Sequence, residues 1–211
     1  MMIMTNNVEV LTVHYKTPDL IYRQYNSVRK IYPTIPYRII DGSDDGQFYF
    51  EDLEKEDKNI KVERLGYNIH HGPGMHYGIT TSFYDFLLIM DSDVYIKKEI
   101  INDMYNHYKG YAVGKELMVD KKGLEKDQHK KYWWKSFNKI KYPYIHPSCI
   151  LINKNAYLQF KQFKKHGAPC IDAMIDIFNK NKTDILSSFN LEGYIELEEK
   201  GTRKRWGINL K

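Results

Sequence analysis

Short apolar segments recur along the first half of the chain and predict the strands of a sheet. Residues 8–15 are rich in β-branched side chains, residues 37–40 form a second short segment, and residues 60–66 alternate apolar with polar positions. Residues 84–90 end in a continuous apolar run, which is typical of a strand buried on both faces. Residues 111–119 predict another strand.

Helical patterns separate these strands. Thr17 is suited to cap a helix that has Pro18 in its first turn. The residues near helical spacing in that helix are Leu20, Tyr22 or Arg23, Ser27 and Ile31. Further helices are predicted after residue 74, over 96–108 and over 168–180, and residues 148–160 indicate a strand, a turn and a helix. The alternation predicts an α/β fold with a mixed, mostly parallel sheet and helices on both faces.

The apolar run at 86–90 ends in Asp91-Ser92-Asp93. Two carboxylates one residue apart repel each other and lose hydration unless a cation lies between them. Mg²⁺ and Mn²⁺ take oxygen ligands of this kind and share such sites with substrate phosphates. The carboxyl ends of strands in an α/β sheet are also where ligands bind. The alternative is that Asp91 caps a turn and Asp93 begins the next helix.

Asp41 occupies a similar place at the end of the second predicted strand, before an acidic, glycine-containing turn. Aspartates there are most often turn formers, and the functional alternative is that Asp41 accepts a hydrogen bond from a nucleotide base.

The segment 68–82 contains Gly-Pro-Gly, whose glycines allow close backbone approach, and backbone N–H groups at the following helix start can face an anion. His70, His71 and His76 lie in this segment without an acidic or cysteine partner at zinc spacing, so packing or ribose contacts are favoured for them over metal binding.

The second half has fewer clear patterns. Residues 121–144 are basic and aromatic, and they include Trp133, Trp134, Tyr142 and Tyr144, which suit stacking on sugars or bases, unless one Trp belongs to the core and the rest to the rim. Asp172 and Asp176 share one face of the helix over 168–180, and Asp172 is either a partner of the helix dipole or a catalytic carboxylate.

Composition limits the class of protein. The chain has 211 residues, of which 42% are hydrophobic and 28% charged, so it is globular rather than disordered. A net charge of +5 suits an anionic nucleotide and does not require nucleic acid. Two cysteines without a CxxC argue against a disulfide framework, and the absence of a long apolar run predicts no membrane span. We therefore expect a cytoplasmic protein.

The order of these segments resembles the GT-A glycosyltransferases, in particular the small inverting type of family 2. IIDGSDD at 39–45 resembles the family's acidic turn, with Ile40 at the first acidic position. NIHHGPGMHYGI at 68–79 resembles its asparagine–glycine segment, with the first glycine displaced and His76 where an asparagine is usual. FLLIMDSDV at 86–94 is a close match to its DxD strand. The resemblance covers residues 8–100.

The later residues resemble the family less closely. HPSCILINKNAYLQF at 146–160 is similar to the strand and helix that follow the acceptor region. YIELEEKGTR at 194–203 is similar to the final segment, where a histidine metal ligand often precedes Gly-Thr-Arg. No histidine stands there, so Glu196, Glu198 or Glu199 replaces it or the metal lacks that ligand.

The resemblance implies one glycosyltransferase domain over 1–211, with a nucleotide-sugar half at 1–100 and an acceptor half at 101–211. It implies a hexosyltransferase with a UDP-sugar donor, Mn²⁺ or Mg²⁺ held by Asp91 and Asp93, a glycan or glycoprotein acceptor and no nucleic acid. Asp41 would contact the base, and Asp172, or else Asp176, would be the general base, with a retaining outcome left open. The donor-binding residues it implies are Thr12, His14, Tyr15, Asp41, Asn68, Gly74, His76, Asp91, Ser92 and Arg203.

Abundant Lys, Asn, Ile and Tyr without a membrane anchor also resemble enzymes with which large DNA viruses of algae glycosylate their capsid protein, in the host cytoplasm. Two other functions stay open. A sugar-phosphate nucleotidyltransferase typically opens with a glycine-rich loop, and HYKTPD at 14–19 argues against it. A nucleic-acid- or glycan-binding module would use residues 121–144 without metal, and would leave Asp91 and Asp93 unexplained.

Overall fold

A computed structural model describes residues 7–122 and 140–198. Strands and helices alternate over the first hundred residues, as the hydrophobic pattern predicts. In chain order the elements are β1 (Val8–His14), α1 (Pro18–Ile31), β2 (Tyr37–Asp41), α2 (Glu51–Glu56), β3 (Ile60–Arg64), α3 (His71–Thr81), β4 (Phe86–Met90), β5 (Val94–Ile96), α4 (Ile101–Asn106), β6 (Ala112–Val119), β7 (Tyr142–Asn153), α5 (Lys154–Tyr157), α6 (Ile171–Asn179), a 3₁₀ turn (Thr183–Ile185), β8 (Leu186–Ser188) and β9 (Ile195–Leu197).

Within the described residues, seven strands form one sheet in the order β3-β2-β1-β4-β7-β6-β8, and only β7 runs opposite to the others. A small antiparallel pair, β5 and β9, lies outside this sheet. The mixed, mostly parallel sheet of an α/β fold is confirmed. β7 comes from the second half of the chain and lies beside β4, so both halves contribute to the same sheet.

The pairing register brings the ends of the parallel strands to one edge. His14 lies opposite Asp41, and Asp41 lies opposite Arg64. Thr12 lies opposite Met90, so the chain leaves β4 at Asp91 close to the end of β1. The carboxyl ends of β1, β2, β3 and β4 therefore form a single edge, which carries both Asp41 and Asp91.

Apolar side chains alternate along the strands and fill both faces of the sheet. On β1, Val10 belongs to one apolar cluster and Leu11 to the other. α1 contributes Ile21 and Val28 to the first cluster, whereas α3 contributes Met75 to the second. The prediction of helices on both faces is confirmed, and the core of each face fixes how α1 and α3 meet the edge.

α3 lies unusually near β1 because two glycines face the strand. A Cβ atom at Gly78 would come within 2.5 Å of Leu11 Cδ2, and one at Gly74 within 2.7 Å of Val13 Cγ1. Any larger residue would push the helix away from the sheet. Gly74 thus provides close packing, whereas the family resemblance placed it at the donor.

Three details differ from the sequence prediction. The buried face of α1 consists of Leu20, Ile21, Gln24 and Val28, and it shares only Leu20 with the residues predicted at helical spacing. The helix expected over 96–108 begins only at Ile101, since Val94–Ile96 forms β5. β7 begins at Tyr142 rather than at 148, and its pairing with β6 buries Tyr144, which is therefore not free to stack on a ligand. Trp133 and Trp134 lie outside the described residues.

None of the helices within residues 7–122 and 140–198 combines the length and the apolarity that a bilayer span requires.

Candidate active site

Asp41 is buried at the end of β2 and is held by groups from two neighbouring segments. His14 Nδ1 lies 2.9 Å from Asp41 Oδ1, and the backbone N–H of Ser43 donates to the same oxygen at 2.9 Å. Burial alone would raise the pKa of Asp41, but the hydrogen bonds from His14 and Ser43 outweigh it and lower the pKa. Asp41 is therefore an ionised acceptor with a fixed orientation.

The hydrogen bonds of His14 assign its tautomer. The backbone N–H of Thr17 donates to His14 Nε2 at 2.9 Å, so this nitrogen carries no proton in that bond. The proton is then on Nδ1, which donates to Asp41. The side chain of His14 is fully buried, so it orients Asp41 from within the protein and is not placed to touch a ligand.

The residues after β1 and β2 form the rim beside Asp41. Lys16 Nζ pairs with Asp44 Oδ1 at 2.5 Å, and the hydroxyl of Tyr15 lies 3.3 Å from the same oxygen. The backbone N–H of Lys16 donates to Ser43 Oγ at 3.1 Å. These contacts join the two loops, so the predicted contact residue Tyr15 lies beside the Asp41 turn.

Asp91 begins a tight turn at the end of β4. Its N–H donates to the carbonyl of Ser148 on β7 at 3.0 Å, and its carbonyl accepts the N–H of Val94 at 3.0 Å. Ser92 is buried within the turn, and the carbonyl of Asp93 accepts the N–H of Glu198 at 2.9 Å. The backbone of the DxD segment is thus fixed from both sides.

His71, the first residue of α3, faces this turn. Its Nε2 lies 3.0 Å from Asp91 Oδ1, although the ring N–H is not aligned for a hydrogen bond. Burial would raise the pKa of Asp91, but His71 and then His146 outweigh it and lower the pKa. For His71, burial would lower the pKa, but the charges of Asp91 and Asp93 outweigh the effect of burial and raise the pKa. Each group favours the charged form of the other.

Asp91 Oδ1 is buried, and no described residue donates a hydrogen bond to it. An unsatisfied buried carboxylate oxygen is costly unless a ligand supplies the partner. Asp91 and Asp93 offer the hard oxygen ligands that Mg²⁺ and Mn²⁺ take, so these residues fit such an ion. Among the described residues, no group of three or more His, Cys, Asp or Glu is arranged to hold a metal, and two carboxylates are enough only where substrate phosphates complete the shell.

Glu198, considered above as a substitute metal ligand, is engaged elsewhere. Arg23 Nη1 pairs with Glu198 Oε2 at 2.5 Å, and the hydroxyl of Tyr95 donates to the same oxygen at 2.9 Å. The guanidinium of Arg23 also lies 4.6 Å from the centre of the Tyr95 ring. Oε2 of Glu198 therefore links the end of β9 to α1 and β5. Glu196 is exposed on β9, and Glu199 lies outside the described residues.

The turn before α3 shows how the displaced glycine is accommodated. His70 adopts φ 64°, a backbone conformation that favours glycine. Asn68 Oδ1 accepts the N–H of His70 at 2.9 Å and so closes this turn. His70 and His166 have ring centres 5.6 Å apart. The strained backbone brings the next residue, His71, to Asp91.

His76 faces away from the edge toward the second half of the chain. Its Nδ1 lies 2.8 Å from the hydroxyl of Tyr157, and burial lowers its pKa, as does Lys164. The sequence favours packing or ribose contacts over metal for His76; the contact with Tyr157 is a packing contact, and the place of His76 at the donor stays a prediction. Thr12 is fully buried inside β1, so only its backbone is placed to flank a nucleoside. Arg203 lies outside the described residues.

The two candidate general bases lie on successive turns of α6. Asp172 is in the first turn and pairs with Lys165 Nζ at 3.0 Å. Asp176 pairs with Lys180 Nζ at 3.0 Å and accepts the N–H of Lys161 at 3.2 Å. Burial and then the nearby charge of Asp91 raise the pKa of Cys170, the N-cap of α6. The N-cap of α6 is thus within electrostatic reach of Asp91, and Asp172 follows it by two positions.

Gln24 was missed in the sequence. It lies on the buried face of α1, and its amide bonds the carbonyls of Asp91 and Val94 at 2.6 and 3.1 Å. A polar residue at a position that helical spacing assigns to the core is the signal that would have found it.

Comparison with known proteins bears on the family and the fold of the chain. Residues 9–167 match the family model described as Glycosyl transferase family 2. No curated protein sequence matches the chain at a significant level.

Solved structures share the fold at low identity. Glucosyl-3-phosphoglycerate synthase from Mycobacterium tuberculosis, in complex with Mn²⁺, UDP and phosphoglyceric acid, is 11% identical, with a TM-score of 0.61 over 96% of this chain and 74% of that one. S. aureus TarS 1–349 in complex with UDP-GlcNAc is 16% identical, with a TM-score of 0.57 over 93% of this chain and 61% of that one. The same TarS fragment with UDP is 17% identical, with a TM-score of 0.57 over 90% and 59%. This chain spans about three fifths of the length of the TarS 1–349 structures.

Proposed function

The chain belongs to glycosyl transferase family 2, and on that premise we propose that it transfers a hexose from a UDP-sugar to a hydroxyl group of a glycan or glycoprotein, with Mn²⁺ or Mg²⁺ at Asp91 and Asp93. One observation carries the proposal. Asp41, with a fixed acceptor oxygen, and Asp91, whose buried Oδ1 pairs with His71 but accepts no hydrogen bond from any described residue, lie on the same sheet edge on either side of β1.

The two aspartates suit the two ends of such a donor. Asp41 is an ionised acceptor beside the loops that carry Tyr15 and Ser43, and a uracil N–H is a donor that fits it. Asp91 and Asp93 are suited to the diphosphate end, where a bound divalent ion acts as a Lewis acid toward the leaving group. His71 holds Asp91 in its ionised form from the other side. The backbone of Thr12 to Tyr15 runs between these positions.

Transfer also requires a group that takes the proton of the acceptor hydroxyl. We assign this role to Asp172, because it stands two positions after Cys170, the N-cap of α6 that the charge of Asp91 reaches, and keep Asp176 as the second candidate. A single base beside the acceptor gives inversion at the anomeric carbon. The configuration of the product, measured by NMR of its anomeric proton, distinguishes inversion from retention.

The proposed function also assigns a role to each half of the chain. We propose a single domain over 1–211, in which residues 1–100 bind the nucleotide sugar and residues 101–211 bind the acceptor, without nucleic acid and in the cytoplasm. Trp133 and Trp134 keep their predicted stacking on sugars or bases and Arg203 its predicted place at the donor, and all three lie outside the described residues. The capsid-glycosylating role, in a host cytoplasm, remains a prediction of the composition alone and is tested by offering capsid glycoprotein as the acceptor.

The first experiment is a thermal-shift screen of nucleoside diphosphates and their sugars, with and without Mn²⁺. Ligand that binds the folded state raises the melting temperature, and saturating ligand raises it by about 5 °C for a protein of this size. We expect a shift with UDP that requires Mn²⁺ and is lost in Asp93→Ala. Asp184→Ala is the matched control, because Asp184 is an exposed aspartate in the 3₁₀ turn.

Two results contradict the proposal. Full Mn²⁺-dependent binding by Asp93→Ala removes the metal assignment. No shift with any nucleotide removes the donor class and favours the binding module, which is then sought with glycans and single-stranded nucleic acid.

A further inference from the structure

Gln24 is a polar side chain in an apolar place. It lies on the core-facing side of α1 with Leu20, Ile21 and Val28, and it is fully buried. Burying a side-chain amide without hydrogen bonds costs several times what an apolar side chain gains there. The burial of Gln24 on this face of α1 is therefore explained by the hydrogen bonds of its amide.

The partners determine which way the amide points. On one side lie the carbonyls of Asp91 and Val94, at 2.6 and 3.1 Å, and a carbonyl can only accept a hydrogen bond. The NH₂ group must therefore face them. On the other side, the hydroxyl of Tyr37 donates to Gln24 Oε1 at 2.7 Å. Burial raises the pKa of Tyr37 well above its usual value, so the phenol keeps the proton that it donates.

These bonds span the whole DxD turn. The carbonyl of Asp91 also accepts the N–H of Val94 at 3.0 Å, so Gln24 binds the two ends of a turn that already closes on itself. Ser27, one turn later on α1, accepts the N–H of Ile96 at 3.0 Å and holds the strand that follows. The turn is therefore held by side chains of α1, a helix that lies about 70 residues earlier in the sequence.

We propose that Gln24 is the positioning residue of the DxD turn: its amide fixes the backbone carbonyls of Asp91 and Val94, and so directs the carboxylates of Asp91 and Asp93 toward the donor. This inference rests on the function proposed above. Gln24 does not touch the donor and acts through the peptide groups of the turn. Partners of this kind, one step removed from the ligands, commonly change metal affinity by 10- to 100-fold.

The test is Gln24→Met in the full chain, because methionine fills the same volume and cannot donate to the carbonyls. We expect the dissociation constant of UDP in the presence of Mn²⁺, measured by calorimetry, to rise about tenfold. The amide of Val94 should also exchange its hydrogen faster than the amides of β1, without any ligand present. Val28→Ala is the control, since Val28 is buried on the same face of α1 and its side chain cannot form a hydrogen bond with the turn.

Tyr37→Phe gives a second variant that keeps the core volume. It leaves the amide of Gln24 in place but removes the hydroxyl that orients it, so we expect an increase of about threefold in the same dissociation constant. A general loss of stability would act through Val28→Ala as well, whereas the proposed role predicts that only Gln24→Met and Tyr37→Phe change UDP binding and Val94 exchange.

The outcomes separate the two proposals. If the wild-type chain does not bind UDP with Mn²⁺, the proposed function fails and this inference fails with it. If the wild type binds and Gln24→Met binds equally well, or if Val28→Ala weakens binding to the same extent, the function stands and the positioning role is wrong.

Discussion

Asp41 and Asp91 make an instructive pair, because they end the two strands that flank β1 and yet are satisfied in opposite ways. Oδ1 of Asp41 accepts from the ring of His14 and from the backbone of Ser43. Oδ1 of Asp91 is buried although its side chain as a whole is 27% exposed, and it lies 3.0 Å from His71 Nε2 but accepts no hydrogen bond from any described residue.

This difference suits the two carboxylates to different ligands. A carboxylate that the chain bonds itself is held in one orientation and can recognise a donor group of fixed geometry. A buried carboxylate oxygen that has an imidazole beside it but no hydrogen bond keeps an unfavourable contribution to folding that a ligand can remove. The same residue type, at the same edge, thus supports recognition at β2 and cation binding at β4.

The strongest way to break the comparison is Asp91→Asn. It removes the charge from the oxygen that is prepared for a cation, so we expect the rate of UDP-sugar turnover to fall on the order of 100-fold. The free energy of unfolding should change by less than about 1 kcal/mol, because the neighbouring contact with His71 is partly exposed. Activity within tenfold of the wild type would show that Asp91 is structural.

Asp41→Asn should have a larger effect on the free energy of unfolding than Asp91→Asn. Asparagine keeps the shape but loses the charge that His14 and Ser43 stabilise, so we expect the free energy of unfolding at pH 7 to fall by about 1–2 kcal/mol. The pKa of Asp41 is lowered in the folded state, so the wild-type advantage is complete above the ordinary aspartate pKa and is lost as pH falls through the lowered value. Urea unfolding from pH 7 to pH 3 measures it.

The matching control is Asp44→Asn, an aspartate of the same turn that is exposed and pairs with Lys16. Its stability should hardly differ from the wild type at any pH. A pH-independent difference for Asp41→Asn would mean that the charge of Asp41 is not what the His14 bond stabilises.

The smallest effect is expected at the turn that brings His71 to Asp91. His70 adopts a positive φ that glycine adopts without strain, so His70→Gly should raise the free energy of unfolding by about 1 kcal/mol. Lower stability would show that the contact of His70 with His166 outweighs the backbone strain. UDP binding by the variant then reports whether the strain matters for His71.

The edge of the sheet could be predicted from local patterns, but the contacts behind it could not. The run at 86–90 and the aspartates that follow it need only hydrophobic periodicity and the rule on strand ends, and β4 was found within two residues. Gln24 and Asp91 are 67 positions apart, and His14 and Asp41 are 27 apart. No local spacing relates such pairs, since they meet only through strand order and register.

Errors in the second half have the same origin. Tyr144 reads as an exposed aromatic residue because its neighbours in sequence are basic, and only the pairing of β7 with β6 buries it. At the end of the first half, β5 is too short to show a period and is a strand because β9, from the second half, pairs with it.

The close approach of α3 to β1 has an evolutionary consequence. Since Gly78 is in contact with Leu11, and Gly74 with Val13, the two residues of each pair share one fixed volume. In homologous chains a larger residue at position 78 should therefore accompany a smaller one at position 11, and likewise for 74 and 13. Such paired substitutions would trace the history of this interface, whereas either change alone would displace the helix that carries His71.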